Sequence, residues 1–202
     1  MPGVRSVGRL GVRGSVLLLC DMQEKFRPNI VHFTDVVSNS ARLLQVCRIL
    51  GVPPLVTEQY PHGLGPSVPE LGLGDLRPFP KTAFSMLGAP GLLEALGAAG
   101  GQEGVTRALL CGIETQACIA CTTYDLLEKG IEVHIVADAV SSRSQVDRLF
   151  ALSRLRQSGA FLTTVEGAIL QLVQDAAHPR FKEIQKLLVH PSPDTGLLSF
   201  FH

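Results

Sequence analysis

The chain has 202 residues, 46% hydrophobic and 18% charged, enough apolar material for one large core and little polar surface to spare. Its 18 basic and 18 acidic residues cancel, which argues against nucleic-acid binding and against an electrostatic membrane anchor, and no apolar run is long enough to span a bilayer. A mean hydropathy of +0.25 points instead to apolar surface hidden between copies of the chain, so a homo-oligomer is expected.

Residues 1–14 read as a short basic tail carrying Arg5, Arg9 and Arg13 and no acid. Mitochondrial presequences share that pattern, but this one runs directly into the first core strand. A cytoplasmic location, with nuclear entry by small size, is therefore the first expectation and a mitochondrial one the alternative. Residues 15–190 form one domain, and 191–202 a C-terminal tail.

Within the domain, strand-like and helix-like segments alternate, the pattern of a parallel sheet covered on both faces by helices. Val16 to Cys20 is a continuous apolar run between Gly14 and Asp21, a strand buried on both sides. Asp35 to Leu50 has helical spacing at Val36, Ser40, Leu43, Leu44 and Cys47, with Thr34 as N-cap and Gly51 just past the end. Pro53 to Thr57 is a second strand. Pro61 to Pro80 is rich in Pro and Gly and too irregular for long elements, and loops of that length in a compact domain are usually functional. A short helix over Gly91 to Leu96 precedes the strand Thr106 to Cys111. The helix Thr115 to Lys129 closes at Gly130, followed by the strand Ile131 to Val136 with His134. In the helix Val146 to Gln157, Arg148, Arg154 and Arg156 are expected to face away from Leu149, Leu152 and Leu155. Ala160 to Thr163 is the last strand, and Val165 to Val173 and Phe181 to Leu188 are helices.

The five cysteines do not form a disulfide framework. Cys20, Cys47 and Cys111 lie in apolar settings and Cys118 and Cys121 in one helix, which reads as a reducing compartment. Cys118 stands in the first turn of its helix, where unpaired N–H groups and the helix dipole favour a thiolate. Open α/β sheets place active sites at the carboxyl ends of their strands. Asp21 follows the first strand, Lys81 follows the irregular stretch, and Cys118 opens the helix after the strand ending at Cys111. An acid, a cation and a thiol so placed form a workable set: Asp21 takes the thiol proton, Lys81 stabilises the thiolate, and Cys118 attacks a carbonyl carbon.

The runs Leu18-Leu19-Cys20-Asp21-Met22-Gln23-Glu24-Lys25-Phe26, Pro80-Lys81-Thr82-Ala83-Phe84-Ser85 and Gly112-Ile113-Glu114-Thr115-Gln116-Ala117-Cys118 resemble the three signatures of isochorismatase-like cysteine hydrolases. The resemblance runs from about Ser15 to Leu188. It implies a three-layer αβα sandwich on a six-stranded, mostly parallel sheet, and the same roles for Asp21, Lys81 and Cys118. It also implies a cis peptide bond between Ile113 and Glu114, with the backbone N–H groups of Glu114 and Cys118 forming an oxyanion hole. Gln23, Phe26, Tyr60, Phe84 and Ile113, in or beside these runs, are expected to line a small, fairly apolar pocket for a small-molecule substrate.

Nicotinamidase-type relatives carry an Asp-x-His metal motif with a further His; this chain has Glu58-Gln59-Tyr60-Pro61-His62 instead. The three protein ligands of a catalytic zinc are missing, so no metal and no other cofactor is expected, and His62 reads as a surface or pocket-wall residue. A small amide or related acyl compound is the favoured substrate, with vinyl-ether hydrolysis an alternative. Two readings of other classes stay open. Cys118 and Cys121 spell C-x-x-C, a possible redox pair, although Cys121 is expected to point into the core. A binding or scaffold protein on a retained hydrolase fold, with a protein partner, is the other.

Overall fold

A computed structural model describes residues 6–197, apart from the side chain of Glu103. Arg5 and the remainder of 1–5, and 198–202 of the expected C-terminal tail, lie outside the described residues. Six strands form one sheet: β1 (Ser15–Cys20), β2 (Pro54–Gln59), β3 (Phe79–Lys81), β4 (Arg107–Ile113), β5 (Glu132–Ser141) and β6 (Phe161–Thr163). They run in the order β3-β2-β1-β4-β5-β6, and every pairing between neighbours is parallel. The chain builds outward from β1 to β3, then returns to the other side of β1 and builds outward again. The order therefore reverses between β1 and β4, the place where open α/β sheets leave a crevice at their carboxyl ends.

Both sheet faces are covered. Leu17 and Leu19 of β1 pack with one group of helices: α1 (Phe33–Leu50) and two C-terminal helices, α6 (Val165–Val173) and α7 (Phe181–Leu187). Val16, Leu18 and Cys20 point to the opposite face. They pack with α3 (Leu92–Ala99), α4 (Ala120–Glu128) and α5 (Gln145–Gln157). Residues alternate in this way along any strand, and burial on both faces explains the continuous apolar run. The stretch Pro61 to Pro80 holds only short elements, among them α2 (Pro61–Leu64) and the start of β3.

Several elements differ from expectation, each for a local reason. The first long helix begins at Phe33, so Thr34 lies inside it and His32, in the left-handed region with φ 55°, takes the N-cap place without a side-chain cap. The segment after β4 opens as a π-helical turn, Thr115–Ile119, before α4 begins. β5 continues to Ser141, well past Val136, because its far end pairs with Gly112 and Ile113 beyond a register shift in which β5 carries the extra residues. Arg148 is fully buried rather than outward: its guanidinium donates to Ala137 O at 2.9 Å and to Thr195 Oγ1 at 3.1 Å. Burial lowers its pKa to about 10. Leu149, expected inward, is 38% exposed. Both expected tails contribute to the body, through buried Leu10 and buried Thr195.

Candidate active site

The site starts where β1 ends. Asp21 adopts φ 54°, a left-handed conformation that short polar Asp tolerates better than most residues. Its N–H still donates to Thr57 O of β2 at 3.2 Å, while the Thr57 hydroxyl donates to Asp21 Oδ1 at 2.8 Å. Both residues are buried. With Oδ1 held by Thr57, Oδ2 faces the ammonium of Lys81 at 2.7 Å.

Lys81 ends β3, two strands away, and is only 3% exposed. Its Nζ donates to Ala83 O at 3.0 Å, to Phe84 O at 3.1 Å and to Gln59 Oε1, and lies 3.6 Å from Cys118 Sγ. Burial works to lower the pKa of this ammonium, but the facing Cys20, Asp21 and Cys118 outweigh it and the net direction is upward. Gln59 is itself fixed, its Nε2 donating to Thr82 O at 2.8 Å. The cation thus sits in a cage of oxygen and sulfur atoms that compensate its desolvation.

The thiol arrives from β4. Its end lies tight against β1: Gly112, paired with Cys20, has φ +119°, and a Cβ there would stand 2.0 Å from Cys20 O. Only glycine fits that approach. The Ile113–Glu114 peptide bond is cis, and the π-helical turn then carries Cys118 to Lys81. The Thr122 hydroxyl donates to Cys118 O at 2.6 Å and accepts from Met86 N–H at 2.9 Å, tying this turn to the segment after β3. On the other side the Thr115 hydroxyl donates to Ser141 O at 3.0 Å. Glu114 Oε2 accepts from Arg143 N–H at 2.9 Å, and the Arg143 Nε lies 3.4 Å from Glu114 Oε1.

Asp21, Lys81 and Cys118, found separately along the sequence, therefore share one cluster. A cavity of about 300 Å3 opens over Cys118, and Phe26, Phe84, Ile113 and Glu114 line it as well. Gln23 and Tyr60 have other places. Gln23 is fully buried, its Nε2 donating to Gln59 O at 2.9 Å and Gly65 O at 2.7 Å and its Oε1 accepting from Gln59 N–H at 2.7 Å; it braces the loop behind the site. Tyr60 is 55% exposed, just past the end of β2, and His62 is exposed too. Asn29, Gln59 and Arg143 line the cavity and escaped the sequence reading, since nothing local marks Asn29 or Arg143 as inward. Cys20 escaped it as a member of the cluster, although the alternation along β1 puts Cys20 on the face that α4 covers. Cys121, expected in the core, is half-buried.

Cys20, Asp21 and Cys118 bring one donor atom each within 4.8 Å of one another, the only group of metal-ligating type among the described residues. Lys81 Nζ approaches two of these residues, so a cation at those atoms would compete with its ammonium.

The isochorismatase domain family matches residues 15–167. Among curated proteins, isochorismatase domain-containing protein 2 of Danio rerio is 70% identical over 96% of this chain and 97% of its own length. The protein of the same description from Homo sapiens is 61% identical over 97% and 93%. Among solved structures, one described as the MAR1 ribonuclease of Caenorhabditis elegans superimposes with a TM-score of 0.87 at 47% identity, covering 94% of this chain and 96% of that one. The match takes in β1, β4 and the turn bearing Cys118, and the relatives named cover nearly the whole chain: the chain belongs to the isochorismatase family.

Proposed function

We propose that this chain is a cysteine hydrolase of small amides or related acyl compounds, working through Asp21, Lys81 and Cys118. The observation that carries the reading is the Lys81 ammonium lying 2.7 Å from Asp21 Oδ2 and 3.6 Å from Cys118 Sγ beneath the cavity. Asp21 takes the proton of the Cys118 thiol, and Lys81 stabilises the resulting thiolate. The sulfur attacks the substrate carbonyl carbon, and the developing oxyanion is met by the backbone N–H groups of Glu114 and Cys118. As the C–N bond breaks, Asp21 returns the proton to the leaving amine. A thioester remains on Cys118. Water, losing a proton to Asp21, then attacks it, releasing the acid and restoring the thiol. Phe26, Phe84 and Ile113 give the cavity an apolar wall, and its volume suits a small molecule.

Two measurements test this. Iodoacetamide at neutral pH should modify Cys118 much faster than Cys47, Cys111 or Cys121, and this selectivity should disappear in Lys81→Met. A panel of small primary amides and carbamoylated amines should then yield ammonia or amine with the wild type and none with Cys118→Ala. Vinyl ethers and a short RNA in the same panel would show another chemistry. A Cys118 that reacts no faster than its fellows, with no turnover of any compound, would leave the binding-protein reading in its place.

We further propose that the chain assembles with copies of itself. Support comes from Val146, Leu149 and Phe150, spaced along one face of α5 and exposed by 64%, 38% and 70%. A cytoplasmic location remains our expectation, tested by imaging the tagged chain beside a mitochondrial marker.

A further inference from the structure

Cys20 takes no part in the hydrolysis proposed above, yet it stands inside the cluster. Its sulfur, that of Cys118 and an oxygen of Asp21 lie within 4.8 Å of one another, and the Cys20 thiol donates to Asp21 Oδ2 at 3.4 Å. The two thiols differ in access. Cys118 lines the cavity, whereas Cys20 is fully buried at the end of β1 and is not among the residues that line it. A small oxidant entering the cavity meets Cys118 first, and the oxidised sulfur then has a second thiol behind it.

We propose that Cys20 is a resolving thiol, which forms a disulfide with Cys118 after hydrogen peroxide has oxidised Cys118, giving a reversible inactive state that guards the nucleophile against deeper oxidation. The proposal rests on the reading of Cys118 as an activated thiolate. In the first step the Cys118 sulfur attacks one oxygen of peroxide, the O–O bond breaks, and the departing hydroxide takes up the thiol proton to become water. Cys118 is then a sulfenic acid, two electrons poorer. In the second step Asp21 takes the proton of Cys20, the Cys20 sulfur attacks the Cys118 sulfur, and the S–O bond breaks. The departing hydroxide collects the proton from Asp21 as a second water. Two thiols and one peroxide thus give one disulfide and two waters.

The surroundings of Cys20 suit this order of events. Burial first, then its hydrogen bond to Cys118 and the negative charges of Asp21 and Cys118, hold the Cys20 thiol well above its ordinary pKa, so it stays protonated and unreactive. Conversion of Cys118 to a neutral sulfenic acid removes one of those charges and leaves Asp21 as the proton acceptor. Cys121, the partner that C-x-x-C spacing would name, is outside this cluster and half-buried.

The test treats the full chain with about two equivalents of hydrogen peroxide, the amount that sulfinic acid formation consumes, in the presence of EDTA, blocks free thiols and maps the cysteines by mass spectrometry. Wild type should lose about 2 Da, yield a linked Cys20–Cys118 peptide, and regain Cys118 alkylation after dithiothreitol. Cys121→Ala should behave in the same way. In Cys20→Ser and Cys20→Ala, Cys118 should instead gain about 32 Da as the sulfinic acid, several-fold faster than in wild type and without recovery. A Cys118–Cys121 link, or sulfinic acid forming in wild type as fast as in the Cys20 variants, would overturn the proposal while leaving fast alkylation of untreated Cys118 intact. Slow alkylation of untreated Cys118 would instead overturn the hydrolase reading. The wild-type peptide map decides the matter by itself if the Cys20 variants fail to fold.

Discussion

Replacing Asp21 with Asn keeps the shape that the Thr57 hydroxyl holds and removes the charge that faces Lys81 Nζ at 2.7 Å. Lys81 would then be a buried ammonium without its carboxylate, a loss that typically costs about 3–5 kcal/mol. We expect Asp21→Asn to lower stability by roughly that amount in urea titrations, and to cut turnover by about two to four orders of magnitude through loss of the general base. The double variant Asp21→Asn with Lys81→Met should recover much of the stability and none of the activity, since it removes the orphaned charge along with its partner. Equal destabilisation of single and double variants would mean that the pair is not coupled. The charges of this cluster could be named from sequence because Asp, Lys and Cys at strand ends carry recognisable chemistry. Gln59 and Gln23 could not: their roles are hydrogen bonds to backbone carbonyls and N–H groups of distant segments, which no local pattern records.

Among the elements, the parallel sheet was legible because burial on both faces makes strands read as unbroken apolar runs, as in β1. Helix starts and inward faces were less so. Arg148 looked like an outward charge on an amphipathic helix. It is buried because Ala137 O and Thr195, far apart in sequence, converge on it. The π-helical turn before α4 was hidden too, since its residues read as an ordinary helix start. Just before it, β4 passes close to β1 at Gly112. That crossing gives a sharp prediction. Gly112→Ala places a methyl 2.0 Å from Cys20 O at a φ of +119°, and overpacking with left-handed strain together should cost roughly 2–5 kcal/mol, read as a lower Tm. A Tm within a degree or so of wild type would contradict the close crossing. β5 supplies a pH effect. His134 is buried, stacks on Phe161 with ring centroids 5.3 Å apart and meets Glu132 at 2.7 Å. Burial depresses its pKa below the ordinary 6.5 despite Glu132. A group with a depressed folded pKa gives its stability above the unfolded value and loses it as pH falls through the folded one. Stability should therefore decline as pH drops below about 6.5, and His134→Phe should flatten that slope.

At the level of the whole molecule, the hydropathy of the sequence and the surface of the structure meet on α5. An average of +0.25 reflects an excess of apolar side chains over polar ones. Some of that excess is visible at Val146, Leu149 and Phe150, three and four residues apart and thus on one face of a single helix. The self-assembly proposed above would seat a second copy of the chain on this face, because a symmetric pairing lets the same stripe cover itself. Burying one phenylalanine side chain contributes roughly 1.5–3 kcal/mol, and a two-fold contact counts it twice, so a single charge there should be felt by the assembly. We expect light scattering to give a mass at least twice the 21.7 kDa of one chain, and Phe150→Asp to shift it toward the monomer while Cys118 keeps its selective alkylation. That last condition separates the two levels of organisation: Asp21, Lys81 and Cys118 meet within a single chain, so the nucleophile should survive the loss of the neighbour. A wild type that stays at the mass of one chain at high concentration would remove the assembly from this picture. A Phe150→Asp monomer whose Cys118 has become sluggish would show instead that the neighbouring copy completes the site.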